Sequence, residues 1–132
     1  MLEIYTDGAS RGNPGEAAIS FIFVKNNKII YVSSEYIGIA TNNFAEYLAI
    51  IKSLEEAKKR ESKSVKLYSD SLLAISQING KYKIKSKDLL PLYEKIRNLI
   101  NDFENLIFEH ISRESKYTKI ADYMCTLILG PK

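Results

Sequence analysis

With 132 residues, 45% of them apolar and 27% charged, the chain can enclose one hydrophobic core, is short for two ordinary domains, and is too hydrophobic for intrinsic disorder. Nineteen basic against sixteen acidic residues leave a net charge of +3, which permits a polyanionic partner without requiring one. The single cysteine excludes an internal disulfide and a cysteine-based zinc site. Glu3 and Asp7 interrupt the N-terminus too early for a leader or a membrane span, so a cytoplasmic protein with no membrane attachment is expected.

No internal repeat, low-complexity tract or Pro/Gly/Ser linker divides the chain, and residues 1–132 are expected to form a single domain. Residues 2 to 7 alternate, with Leu2, Ile4 and Thr6 on one face and Glu3, Tyr5 and Asp7 on the other, which predicts a strand ending in an acid. A turn rich in glycine follows, through Gly12-Asn13-Pro14-Gly15. Residues 17 to 24 are rich in β-branched and aromatic side chains, Lys25-Asn26-Asn27-Lys28 reads as a hairpin turn, and 29 to 38 as the returning strand.

Thr41, Asn42 and Asn43 supply capping side chains before a helix over about residues 43 to 60. On it, Glu46, Ala49, Ile50, Ser53 and Ala57 share one face, small and apolar enough to lie on a sheet. Val65 to Asp70 is another alternating strand ending in an acid, and a strand-helix-strand crossover makes it parallel to the first. A short helix over 71 to 78 leads to the basic stretch Lys81 to Lys87. If extended, it places Lys81, Lys83, Lys85 and Lys87 on one side, as a polyanion contact or simply as a solvated loop. A helix from 88 to 103, a strand from 106 to 111 and a helix from 117 to 129, stopped by Gly130-Pro131, complete the chain. The fold class is therefore α/β, with a five-stranded mixed sheet flanked by helices. Cys125, in the apolar run from Met124 to Leu129, reads as a buried structural thiol.

Four acids stand at places where they could converge: Asp7, Glu46, Asp70 and Asp122. Each has a plain structural reading. Glu46 could close a capping box on Asn43, Asp70 could cap the following helix, and Asp7 could support its glycine turn. Asp122, inside Ile-Ala-Asp-Tyr-Met, would ordinarily lie on a solvated helix face. Brought together, three or four carboxylates would repel unless protons or cations compensate. Oxygen donors without His or Cys favour a hard divalent ion, Mg2+ or Mn2+, over zinc.

The segments Asp7-Gly-Ala-Ser-Arg-Gly-Asn-Pro-Gly15, Thr41-Asn-Asn-Phe-Ala-Glu46, Ser69-Asp-Ser71 and Ala121-Asp122 together resemble, in order and spacing, the four motifs of ribonuclease H, type 1. The resemblance covers essentially the whole chain. It implies a ribonuclease H-like fold in which Asp7, Glu46, Asp70 and Asp122 hold two divalent ions, Mg2+ or Mn2+. The implied reaction is hydrolysis of the RNA strand of an RNA/DNA hybrid, leaving 3′-hydroxyl and 5′-phosphate ends. It also assigns Gly8, Gly12, Asn13, Asn43, Ser71 and Arg113 to the hybrid, and Thr41 and Asn42 either to the hybrid or to helix capping alone; no obligate protein partner is evident. The alternative is a non-catalytic hybrid-binding module of the same fold.

Three departures from the family pattern are visible. The loop Ser112 to Lys119 lacks the histidine that many members carry there, which resembles a His-lacking subgroup and leaves Arg113 or Glu114 to fill part of its role. The family asparagine four residues before the last aspartate is Thr118. The Lys81 to Lys87 segment is far shorter than the basic protrusion of bacterial members.

Overall fold

The computed structural model describes residues 1–131. Its first three strands form an antiparallel meander: β1 (Leu2–Ser10), β2 (Gly15–Lys25) and β3 (Lys28–Ala40). Asn26 and Asn27 have φ of 52° and 61°, the left-handed pair that a two-residue hairpin with the native strand twist requires and that asparagine tolerates. Helix α1 (Asn42–Lys59) crosses over to β4 (Ser64–Ser69), which pairs parallel to β1 from Leu2–Val65 to Thr6–Ser69. After α2 (Leu72–Ile78) and α3 (Leu90–Ile100), β5 (Asn105–His110) adds parallel to β4, and α4 (Lys116–Leu129) closes the chain. The mixed five-stranded sheet, in the order β3-β2-β1-β4-β5, is the architecture expected from the sequence.

The alternation of β1 sends its side chains into two separate cores. Leu2 and Ile4 join Phe21, Phe23, Ile50, Leu54, Leu67 and Ile96 among the residues packed with α1 and α3. Tyr5 joins Ile22, Val24 and Ala121 beneath α4. Helices on both faces explain why the centre of β1 is buried throughout instead of alternating between core and solvent. On the α4 side, Tyr5 stacks on Tyr68 with ring centroids 4.8 Å apart, and Tyr117 tilts against it at 5.0 Å. The predicted stripe on α1 is buried in full, from Glu46 through Ala57.

Besides β1, which runs past Asp7 to Ser10, two segments differ from expectation. Helix α3 is shorter than 88 to 103. Pro91 sits in its first turn, where a missing N–H costs nothing, and i→i+3 bonds from Asn101, Asp102 and Phe103 tighten and end it. The lysine segment is exposed, with Ile84 turned toward the core, but its cations do not all face one groove. Lys81 and Lys83 border a groove with Tyr82 and Tyr93, whereas Lys87, in the turn before α3, borders another with Pro14 and Phe44. Among the described residues no helix is long and apolar enough to cross a membrane.

Candidate active site

The site lies where the parallel ladder between β1 and β4 stops. Its last pair is Thr6–Ser69, so Asp7 and Asp70 occupy equivalent positions one residue beyond it, at the carboxyl end where open α/β sheets bind ligands. β1 itself does not end at Asp7. It continues to Ser10 because β2 still pairs with it there, and Asp7 is consequently only 5% exposed.

Glu46 reaches this point from the other side of the sheet. Thr41 is the N-cap of α1, its hydroxyl accepting from the Phe44 N–H at 3.1 Å, so Glu46 lies too far into the helix for a capping box. Its Oε1 instead accepts a 2.6 Å hydrogen bond from the Gly8 N–H. A Cβ on Gly8 would lie 2.3 Å from the Ala45 carbonyl carbon. Helix and strand backbones touch at this point, and only glycine leaves room for it. The capping explanation fails for Asp70 as well, since Ser71 is the N-cap of α2, its hydroxyl accepting from the Ala74 N–H at 3.1 Å.

Carboxylate oxygens from Asp7, Glu46 and Asp70 all lie within 4.8 Å of one another. At an effective dielectric near 20, two charges at that separation repel by about 3.5 kcal/mol. Burial first, and then the charges of Asp7 and Asp70, hold the Glu46 carboxyl well above its ordinary range. Three crowded oxygen donors, two of them buried and without sulfur or imidazole, fit a hard divalent cation.

The raised carboxyl has a measurable consequence. Above the unfolded pKa of about 4.3 the folded state retains a proton that the unfolded state has lost, so metal-free stability falls as pH rises toward the folded value. Glu46→Gln keeps an oxygen for Gly8 and removes the charge. Its Tm in chelator at neutral pH is expected to exceed that of the unchanged chain, with the gap closing toward pH 4. Adding Mn2+ should stabilise the unchanged chain far more than the variant. Thermal melts with and without chelator check this, and equal melts at neutral pH would contradict it.

The three acids line a cavity of about 290 Å³ together with Gly8, Asn42, Arg113, Glu114, Lys119 and Asp122. Asp122 is exposed on α4 and stands on the cavity wall, outside the tight cluster of three. Arg113 Nε approaches Asp70 Oδ2 to 3.9 Å from an 80% exposed side chain. Lys119, ion-paired with Glu114 at 3.2 Å, was not among the expected site residues. The signal for it was its position three residues before Asp122 on one helix face.

The glycine turn is anchored beside this cavity. The Asn13 side chain accepts from the Asn42 N–H at 3.2 Å, the Ser10 hydroxyl donates to the Ala40 carbonyl at 2.8 Å, and Arg11 donates to the Gly130 carbonyl at 2.6 Å. Gly12 lies in the turn, and Asn43 is exposed in the first turn of α1. Thr41 and Ser71 spend their hydroxyls on helix caps. His110 is exposed at the end of β5, opposite Ser69. Cys125 is buried as expected, and burial pushes its thiol up to about 12.

Fold and site together define an α/β protein with a cluster of carboxylate oxygen donors at the carboxyl ends of two parallel strands. A family model described as Reverse transcriptase-like matches residues 5–127. The chain is 37% identical over 113 residues to a Ribonuclease HI of Halobacterium salinarum, covering 85% of this chain and 57% of that one. The crystal structure of an RNase H1 from the same archaeon superposes with a TM-score of 0.91 at 34% identity, covering 97% of this chain and 96% of that one. LC11-RNase H1, isolated from compost and solved in complex with an RNA/DNA hybrid, superposes with a TM-score of 0.89 at 35% identity, covering 96% and 95%. The chain spans 57% of the curated Halobacterium relative and 31% of mycobacterial relatives that are 36% identical to it. The chain belongs to the ribonuclease H family, type 1.

Proposed function

We propose that this chain is an endoribonuclease that hydrolyses the RNA strand of RNA/DNA hybrids, leaving 3′-hydroxyl and 5′-phosphate ends. The observation that carries the reading is the convergence of Asp7, Glu46 and Asp70 within 4.8 Å, with Asp122 on the wall of the same cavity. These four carboxylates would hold two divalent ions, Mg2+ or Mn2+. Bound there, such ions supply an activated water and charge stabilisation at the leaving oxygen. The Gly8 N–H orients Glu46 and holds it against the cluster. Arg113, close to Asp70 and largely exposed, offers a cation toward the scissile phosphate.

The remaining assignments concern the hybrid. The turn through Gly12 and Asn13 presents backbone close to a minor groove, where the 2′-hydroxyl marks the RNA strand. Asn42 and Asn43, in the first turn of α1, face phosphates with the help of the helix N-terminus. Thr41 and Ser71 contribute by capping the helices that carry those groups.

The experiment is cleavage of end-labelled RNA/DNA hybrid beside duplex RNA, duplex DNA and single strands, in Mg2+, Mn2+ or chelator. The RNA strand of the hybrid is expected to be cut in a divalent ion and left intact in chelator. Hybrid binding with no cleavage in either ion would instead identify a non-catalytic binding module.

A further inference from the structure

We infer that Ser20 is a positioning residue, whose hydroxyl fixes α4, and with it Asp122, against the strand that carries Asp7. The inference rests on the reading of Asp122 as a metal ligand given above. Three of the four acids are held by β1, α1 and the end of β4, which meet directly at the sheet. Asp122 comes from α4, the last element of the chain, and its place beside the others depends on how that helix lies on β1 and β2.

Most of what holds α4 there is apolar: Tyr5, Ile22, Val24 and Ala121 in the buried cluster, with Ile120 and Met124 packed against it. Such contacts resist separation but specify little about sliding or rotation. Ser20 adds direction. It is fully buried in the middle of β2, and its Oγ donates a 2.6 Å hydrogen bond to the Ala121 carbonyl, across 101 residues of sequence. A hydroxyl in that setting is costly unless it is bonded, and here the bond joins a short β2 side chain to a fixed point on the main chain of α4. Its ends are the telling feature. Ser20 is the cross-strand partner of Asp7, and Ala121 immediately precedes Asp122. The Cys125 thiol lies beside the same bond, its sulfur placed to donate to Ser20 Oγ at 3.4 Å or to the Asp7 carbonyl at 3.9 Å.

A serine that served stability alone would, when removed, lower Tm and leave the relation between Asp7 and Asp122 unchanged. The test therefore reads metal binding at each carboxylate separately. Mg2+ is titrated into the isotopically labelled protein, and the side-chain carboxyl carbon shifts of Asp7 and Asp122 are followed. In the unchanged chain both should move. In Ser20→Ala, Asp7 should respond as before, whereas Asp122 should need about tenfold more Mg2+, the scale of effect seen when groups behind metal ligands are removed. Half-activation of hybrid cleavage by Mg2+ should move in the same direction.

Ile120→Val, which thins the apolar packing under α4 but keeps the Ser20–Ala121 bond, should leave the relative response of Asp7 and Asp122 unchanged even if its Tm falls. Should Ser20→Ala fail to fold, Ser20→Cys, a weaker donor kept reduced so that it forms no disulfide with Cys125, should show a smaller change of the same sign. An unaltered relative response in a folded Ser20 variant, or an equal change in Ile120→Val, overturns the positioning role and leaves Asp122 as a ligand. No response at Asp122 in the unchanged chain, with Asp7 responding, removes Asp122 from the metal site and overturns both readings.

Discussion

Asp70→Asn, and separately Asp7→Asn, are expected to lower hybrid cleavage by more than about a hundredfold while hybrid binding persists. Even changes behind a metal's direct ligands cost about 10- to 100-fold, and these two side chains belong to the three whose oxygens crowd within 4.8 Å. Asparagine keeps the size and one oxygen but removes the charge that makes the cluster hold a cation. The same change relieves repulsion on Glu46, because Asp7 and Asp70 are the charged neighbours that push its carboxyl upward. The metal-free variants should therefore melt no lower than the unchanged chain, which separates lost chemistry from lost folding. Cleavage rates, hybrid affinity by fluorescence anisotropy in chelator, and thermal melts on the same preparations check all three parts. Purified variants that cleave at full rate would refute the roles given to these aspartates.

Gly8→Ala should act through geometry instead of charge. The added methyl would meet the Ala45 carbonyl carbon at 2.3 Å and the Glu46 nitrogen at 2.4 Å, both backbone atoms that cannot rotate aside. Either β1 or the start of α1 must move. That movement breaks the 2.6 Å bond from the Gly8 N–H to Glu46 and loosens the helix face carrying Ala45, Ala49 and Ile50 against the sheet. A destabilisation of about 3 kcal/mol is expected. In a chain of this length it should lower Tm by about 10 °C. Cleavage should fall even well below that lowered Tm, because Glu46 no longer reaches the other acids. A variant with unchanged melting and unchanged cleavage would show that the contact between strand and helix is not needed.

The contrast between the two substitutions shows how the site is built. Asp7 and Asp70 are placed by the ladder of two adjacent parallel strands, which ends one residue before each of them. Glu46 is placed by a helix pressed onto strand backbone, and Asp122 by a helix held on through a buried serine. Three different devices deliver carboxylates to one cavity. A change in any of them disturbs the centre without touching an acid.

By itself, the sequence determined whatever depends on neighbours along the chain. Alternation in β1 separated Ile4 from Tyr5, the Asn26-Asn27 pair marked a hairpin through its tolerance of left-handed φ, and a 3.6-residue period identified the buried stripe of α1. Order and spacing of four acids within their motifs identified the family. Only the tertiary structure decided that Thr41 and not Asn43 caps α1, that Glu46 is bound by Gly8, that Lys119 borders the cavity, and that Ser20 ties α4 to the sheet. The Gly8–Glu46 and Ser20–Ala121 pairs lie 38 and 101 residues apart in the chain. No local period encodes such meetings, because they exist only after the sheet has set where each helix lies.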